Sequence, residues 1–185
     1  LQTLHLINNS PKILLKYQRI FQYILIDEYQ DTNHSQYLII NKLAKLHQNI
    51  CVVGDDSQSI YSFRGADIQN ILNFKKDYVG FKTIKLEQNY RSSSNIVNAA
   101  NSLIEKNTHQ IKKNIWTKNN DGEKIIICKA ESDHAEAKLV ANTISQLKFN
   151  NHLLNEHFAI LYRTNAQSRS FEEALRKLNI PYKIF

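Results

Sequence analysis

The sequence predicts an α/β fold in which parallel strands are joined by crossover helices. Short apolar runs alternate along the chain with segments whose apolar residues recur at helix spacing. The runs are continuous rather than alternating, as strands covered on both faces would be. Two of them open directly into polar loops rich in acids, the arrangement found where ligands meet the carboxyl ends of parallel strands.

Taken in order, Leu4 to Phe21 is expected to be helical in its second half (ILLKYQRIF). Gln22 to Asp27 reads as a strand. Asn33 to His47 reads as a helix, with Leu38, Ile39, Leu43 and Leu46 on one face. Ile50 to Val53 is a second buried strand ending at Gly54, and a helix is expected from Asp67 to about Tyr78. Thr83 to Leu86 is strand-like, and Ser92 to Asn107 is a helix opening on a serine-rich cap region. Lys124 to Lys129 is a strand, and a long helix runs from about Ser132 to Leu147. Phe158 to Tyr162 is a strand, Ala166 to Leu178 a helix, and Pro181 to Phe185 the start of one more strand. The natural seam falls at Lys82 to Gln88, which divides the chain into parts of two domains, 1–85 and 86–185.

The 185 residues are 42% hydrophobic, enough for one α/β domain or two small ones. A net charge of +7 is compatible with a polyanionic partner, and equally with an ordinary lysine-rich surface. The excess is spread: 10 basic against 7 acidic residues up to Lys85, and 14 against 10 after it. Cys51 and Cys128 each lie in an apolar run and are expected to be buried, reduced thiols. The histidines fall singly and no Cys/His spacing suggests zinc. No apolar run approaches the ~20 residues a membrane helix needs. With no Met and a first residue Leu1, the chain is expected to be an internal piece of a longer polypeptide.

Chemistry concentrates in three stretches. In YILIDEYQDTN, Asp27 and Glu28 end a strand, where an aspartate can hold Mg²⁺ beside nucleotide phosphates and a glutamate can deprotonate an attacking water. A capped strand end would look the same, with Gln30 and Asp31 ordering the turn and capping the next helix. ICVVGDDSQSIYSFRGAD has the same design: Gln58 and Arg64 could reach a phosphate, and Tyr61 and Phe63 offer rings for base stacking. In LEQNYRSSSNI, Tyr90 could stack on a purine and Arg91 could act as an arginine finger. Trp116, in NIWTKN, is read as a packing anchor. Arg169 and Arg176 form a solvated face with Glu172 and Glu173 in reach.

Together these stretches resemble the UvrD/Rep/PcrA-type superfamily 1 DNA helicases. YILIDEYQDTN looks like their Walker B motif, GDDSQSIYSFRGAD like the third motif and LEQNYRS like the fourth. FAILYRTNAQSR looks like a further segment that touches single-stranded DNA. The likeness runs from about Tyr17 to Phe185. It implies RecA-like domains that flank ATP and ratchet single-stranded DNA as they close. On this resemblance Asp27 helps hold Mg²⁺, Glu28 activates water, and Gln58 senses the γ-phosphate. Tyr90 stacks on adenine and Arg91 contacts the γ-phosphate from the second domain. Tyr61, Phe63, Arg64, Arg163, Thr164 and Asn165 face DNA.

Two departures matter. Phe63 stands where the family commonly has tryptophan, which keeps a stacking face but removes area and an N–H donor. No GxxxxGK[ST] occurs, and the four glycines (54, 65, 80 and 122) have no pair at that spacing. The expectation is a fragment that starts late in the first RecA-like domain, stops inside the second, and hydrolyses no ATP alone.

The resemblance implies a parent that is an ATP- and Mg²⁺-dependent 3′→5′ DNA helicase in repair or replication. It would be cytoplasmic and nucleoid-associated, of bacterial type, acting on single strands and single/double-strand junctions. The alternatives are a subunit of a break-processing helicase–nuclease and a non-catalytic single-strand-binding relic.

Overall fold

The computed structural model describes residues 2–108 and 110–185. The chain forms two compact units, Leu1–Lys124 and Ile125–Phe185.

In the first unit, helices α1 (Gln2–Asn9) and α2 (Pro11–Ile20) pack on each other and on α3 (His34–Ala44). Helix thus begins earlier than the second half of Leu4 to Phe21. Ser10 separates the two helices because Pro11, lacking an N–H, cannot extend α1 but suits the first turn of α2. Strand β1 (Ile24–Ile26) pairs in parallel with β2 (Ile50–Val52), with Ile24 opposite Ile50 and Ile26 opposite Val52. The crossover between them is α3. Asn33 caps it reciprocally: its side chain accepts from Gln36 N–H (3.0 Å), and Gln36 Oε1 accepts from Asn33 N–H (2.9 Å).

Only one face of this strand pair is covered. Ile24, Ile26, Ile50 and Val52 are half-buried, whereas Leu25 is 77% exposed and Cys51 is exposed. A continuous apolar run therefore does not mean two covered faces here. The expected burial of Cys51 fails because its position in the pleat points it to the open side.

After β2 the expected helix from Asp67 to Tyr78 forms as two short pieces, α4 (Gln69–Leu72) and α5 (Phe74–Asp77). They meet at Asn73, a residue whose side chain favours turns over helix interiors. Their aromatic residues complete a small core under the strand ends. Phe74 meets Tyr29 edge-on (centroids 6.0 Å) and stacks on Tyr78 (4.7 Å). Burial, then the neighbouring Asp77 charge and Tyr37, push the Tyr78 phenol up to about 12.

Strand β3 (Gln88–Asn89) pairs in parallel with β4 (Trp116–Thr117), and α6 (Ser94–Ile104) connects them. The predicted strand at Thr83–Leu86 is displaced to these residues. In that segment Ile84 is 73% and Leu86 80% exposed, and no neighbour pairs with them among the described residues. Trp116 is 42% exposed, so its anchoring is partial.

In the second unit, α7 (Asp133–Asn151) starts at Ser132, whose hydroxyl accepts from Ala135 N–H, and packs against α8 (Ser168–Lys177). Ala141, Ile144, Leu175 and Ile180 form its core, with Phe158 and Ile160 packed on them. Glu172 pairs with Arg176 and Glu173 with Lys177, the stabilising order along a helix. The strands expected at Lys124–Lys129, Phe158–Tyr162 and Pro181–Phe185 do not form, since an apolar run becomes a strand only when another backbone bonds to it. Cys128 is exposed, against expectation.

The fold is therefore mixed α/β with parallel strand pairs, as predicted, but each sheet among the described residues has two strands.

Candidate functional site

The parallel pairing of β1 and β2 brings the loops that follow them side by side. Val53 N–H donates to Ile26 O (2.8 Å) and Tyr29 N–H to Val53 O (3.0 Å), so the two loops leave the sheet together. Asp27 and Glu28 both sit at the surface. Asp27 Oδ1 accepts from Glu28 N–H (2.9 Å). Glu28 adopts a left-handed backbone (φ 48°), a conformation that costs a non-glycine residue on the order of 1–3 kcal/mol. The turn it makes carries Tyr29 and Gln30 inward, where they are 0% and 1% exposed.

Gln30 joins the two loops. Its Nε2 donates to Glu28 Oε2 (2.8 Å), and its Oε1 accepts from Asp55 N–H (3.0 Å). Asp55 in turn accepts from Ser57 N–H (2.9 Å) and, at Oδ2, from Gln58 Nε2 (2.8 Å). A continuous hydrogen-bonded path thus runs Glu28–Gln30–Asp55–Gln58. Gly54 makes it possible. A Cβ there would lie 2.6 Å from Gln30 Oε1 and 3.2 Å from Tyr29 N, so only glycine lets the backbone approach the glutamine this closely.

Gln30 and Asp55 are the residues that sequence reasoning undervalued. Of the alternative reading of Gln30 and Asp31, the turn forms, a 3₁₀ turn at Tyr29–Asp31, but the cap is Asn33, and Gln30 is in addition the bridge between loops. Nothing in its spacing marks it. Asp31 Oδ1 is buried and has no hydrogen-bond partner among the described residues.

Asp55 carries a further partner. Lys113 Nζ pairs with Asp55 Oδ1 and with Asp56 Oδ1 (2.8 Å for the latter), and Asp56 Oδ2 accepts from Ile111 N–H (2.6 Å). The Asp56 side chain is 2% exposed. Burial raises the Asp55 carboxyl, but hydrogen bonds from Lys113, Gln58 and Ser57 N–H outweigh it and hold the group below the ordinary range. Burial lowers Lys113, and the two carboxylates more than reverse this, leaving it raised.

Beyond Gln58 the loop turns outward. Tyr61 and Phe63 tilt toward each other at 6.0 Å, and the Arg64 guanidinium lies 5.2 Å and 5.4 Å from the two ring centres. Phe63 is 75% exposed. An exposed ring beside a cation suits a nucleobase and its phosphate.

Tyr90 and Arg91 follow β3. The Tyr90 hydroxyl donates to Gln88 Oε1 (3.0 Å), and Asn89 Oδ1 accepts from the N–H groups of Arg91 and Ser92. Both side chains are exposed, and no hydrogen bond or ion pair among the described residues links Arg91 to Asp27, Glu28 or Gln58. In the second unit, Arg163, Thr164 and Asn165 are exposed on a turn closed by Gln167, whose Oε1 accepts from the N–H groups of Arg163 (3.0 Å) and Thr164 (2.9 Å). The structure therefore joins Glu28 to Gln58 and groups Tyr61 with Phe63 and Arg64, while Tyr90 and Arg91 follow β3 and Arg163, Thr164 and Asn165 lie on a turn of the second unit. Among the described residues no helix is long and apolar enough to cross a membrane, and no group of three or more His, Cys, Asp or Glu side chains forms a metal cage.

Residues 1–79 match the family model for the UvrD/REP helicase N-terminal domain, and residues 84–185 that for the UvrD-like helicase C-terminal domain. The chain is 48% identical over 182 residues to the ATP-dependent DNA helicase PcrA of Leuconostoc citreum, covering 98% of this chain and 24% of that protein. It is 50% identical over 182 residues to PcrA of Bacillus subtilis (strain 168), covering 98% and 25%. For PcrA of Staphylococcus epidermidis the identity is 51% over 180 residues, covering 97% and 25%. The chain thus spans about a quarter of the length of these curated relatives. With both family models matched end to end along it, the chain belongs to the UvrD/REP helicase family.

Proposed function

We propose that this chain is the part of a bacterial ATP-dependent DNA helicase that holds the water-activating and phosphate-sensing side of the nucleotide site. It contributes to two RecA-like domains, 1–85 and 86–185, in a protein that translocates 3′→5′ on single-stranded DNA in cytoplasmic repair or replication. The observation that carries this reading is the path Glu28–Gln30–Asp55–Gln58 across the ends of two adjacent parallel strands. A capped strand end has no need of it.

The residues fit a nucleotide with Mg²⁺. Among the described residues, one Asp27 carboxylate oxygen has no protein donor, at the carboxyl end of a parallel strand. Mg²⁺ is typically held by one or two carboxylates together with waters and phosphates, so a protein cage is not required. Bound there, it would neutralise charge on the phosphates. Glu28 is the base that takes a proton from the attacking water. Its left-handed backbone and the Gln30 hydrogen bond fix where its carboxylate points. Gln58 meets the γ-phosphate, and its amide is oriented by Asp55. Loss of that phosphate is felt at Asp55 and, six residues on, in the loop bearing Tyr61, Phe63 and Arg64. Those three, with Arg163, Thr164 and Asn165, hold the single strand or a single/double-strand junction. Tyr90 stacks on adenine, and Arg91 reaches the γ-phosphate when the domains close.

The test is DNA-stimulated ATP hydrolysis by the full-length protein that carries this segment. Glu28→Gln should lower kcat at least about 100-fold, the usual scale for a general base. Wild-type turnover in that variant refutes the assignment.

A further inference from the structure

One acid and one lysine, Asp56 and Lys113, lie beside Asp55 and Gln58 without a role in the reading above. Asp55 and Asp56 fall in the segment matched by the N-terminal family model, and Lys113 in the segment matched by the C-terminal one. The three are joined by Lys113 Nζ, which touches both carboxylates, and by the Ile111 N–H bonded to Asp56 (2.6 Å). The Lys113 side chain is 18% exposed and that of Asp56 2%, so this is not a surface pair free to come and go with salt. It is also asymmetric. Asp56 is committed to Lys113 and the backbone of Ile111, whereas Asp55 divides its carboxylate between Lys113 and the Ser57 N–H at Oδ1 and Gln58 at Oδ2. Lys113 and the Ser57 N–H together fix the rotation of the Asp55 carboxylate, and that rotation sets where the Gln58 amide points.

We propose that Lys113 is a positioning residue that sets the orientation of Gln58 through Asp55. It makes the γ-phosphate sensor answer to the segment that follows α6. This rests on the helicase reading, in which Gln58 meets the phosphate. With Lys113 seated between the two acids, Gln58 is held at a fixed angle. When the segment carrying Lys113 and Ile111 withdraws, Asp55 Oδ1 keeps the Ser57 N–H alone, and the hold on the Gln58 amide loosens. Movement of one domain segment is thereby reported at the phosphate by a contact that no substrate touches.

The experiment is steady-state DNA-stimulated ATPase on the full-length protein carrying this segment, with Lys113→Met, Lys113→Arg, Gln58→Ala and the double variant Gln58→Ala/Lys113→Met. Losing a partner that orients a catalytic group typically costs 10–100-fold. Lys113→Met should lower kcat about tenfold on that scale, with KM for ATP within about twofold of wild type. Lys113→Arg, which can still reach both carboxylates, should restore most of the rate. The double variant should turn over no more slowly than Gln58→Ala alone, because Lys113 acts only through Gln58. A further tenfold loss in the double variant overturns the proposal, as does a wild-type kcat in Lys113→Met. If Lys113→Met does not fold, Asp55→Asn in the same pairing with Gln58→Ala decides by the same comparison. A wild-type protein that hydrolyses no ATP on single-stranded DNA would instead sink the helicase reading itself, so the two failures are distinguishable.

Discussion

At Gly54 a backbone packs against the Gln30 side chain, and that packing can be tested with one methyl group. Gly54→Ala would place a Cβ 2.6 Å from Gln30 Oε1, 3.0 Å from Ile71 Cδ1 and 3.2 Å from Tyr29 N. Backbone cannot yield cheaply, so Gln30 must. Its movement breaks the bond from Asp55 N–H and strains the one to Glu28 Oε2. Leaving a half-buried N–H unpaired costs about 1–3 kcal/mol, and a displaced hydrogen bond about 1 more, so a local loss of about 2–4 kcal/mol is expected. The two compact units make a global melting curve a poor probe. Amide hydrogen exchange at Asp55 reads the bond directly, and a loss of about 2 kcal/mol speeds exchange about 30-fold. The control is Gly65→Ala. Gly65 has φ 87°, and none of the described residues lies within 4 Å of a Cβ there, so that change costs about 1–2 kcal/mol of backbone conformation and leaves Gln30 in place. Unchanged Asp55 protection in Gly54→Ala, or equal acceleration in both variants, refutes the argument.

Other expectations follow from the same contacts. Asp55 titrates below its unfolded value, so its contribution is complete above an unfolded pKa of about 3.9 and is lost as pH falls through the lower folded value. Lys113 titrates above its unfolded value, so its contribution is complete below about 10.4 and is lost as pH rises through the higher folded value. Exchange protection at Ile111 N–H should therefore hold between these limits and fall outside both; a flat profile argues against the ion pair. Tyr29→Phe removes a buried hydroxyl that has no partner among the described residues and should stabilise the first unit by about 1 kcal/mol, read from exchange of core amides. In the full-length protein, Phe63→Ala should weaken single-strand binding by about 1–3 kcal/mol and Phe63→Trp should strengthen it, by fluorescence anisotropy at fixed salt. Equal affinities would remove Phe63 from the DNA face.

Much of the site was legible because its chemistry is contiguous: strand, acid pair, then loop. ILIDE and ICVVGDD can be read as strand ends, and their parallel pairing follows from the helix between them. What links them could not be read in this way. Gln30 matters because Gly54, 24 positions later, leaves room for its amide, and Lys113 because a fold brings it back to Asp55 and Asp56. Such long-range partners leave no local periodicity. The missed strands share one cause. The runs at Thr83–Leu86, Lys124–Lys129, Phe158–Tyr162 and Pro181–Phe185 have strand composition, but strand formation depends on a neighbour that composition does not specify. Cys51 and Cys128 failed for the same reason, since an apolar run does not say which of its faces will be covered.

The run KIIICK carries a hazard of its own. Ile126 is 82% and Ile127 94% exposed, and the four residues between Lys124 and Lys129 are uncharged and strongly β-prone. Short stretches of this kind seed cross-β stacking between molecules, and flanking charges slow it. Concentrated solutions of these 185 residues should therefore form thioflavin-positive fibrils at a rate set by Lys124 and Lys129, faster when both are neutralised.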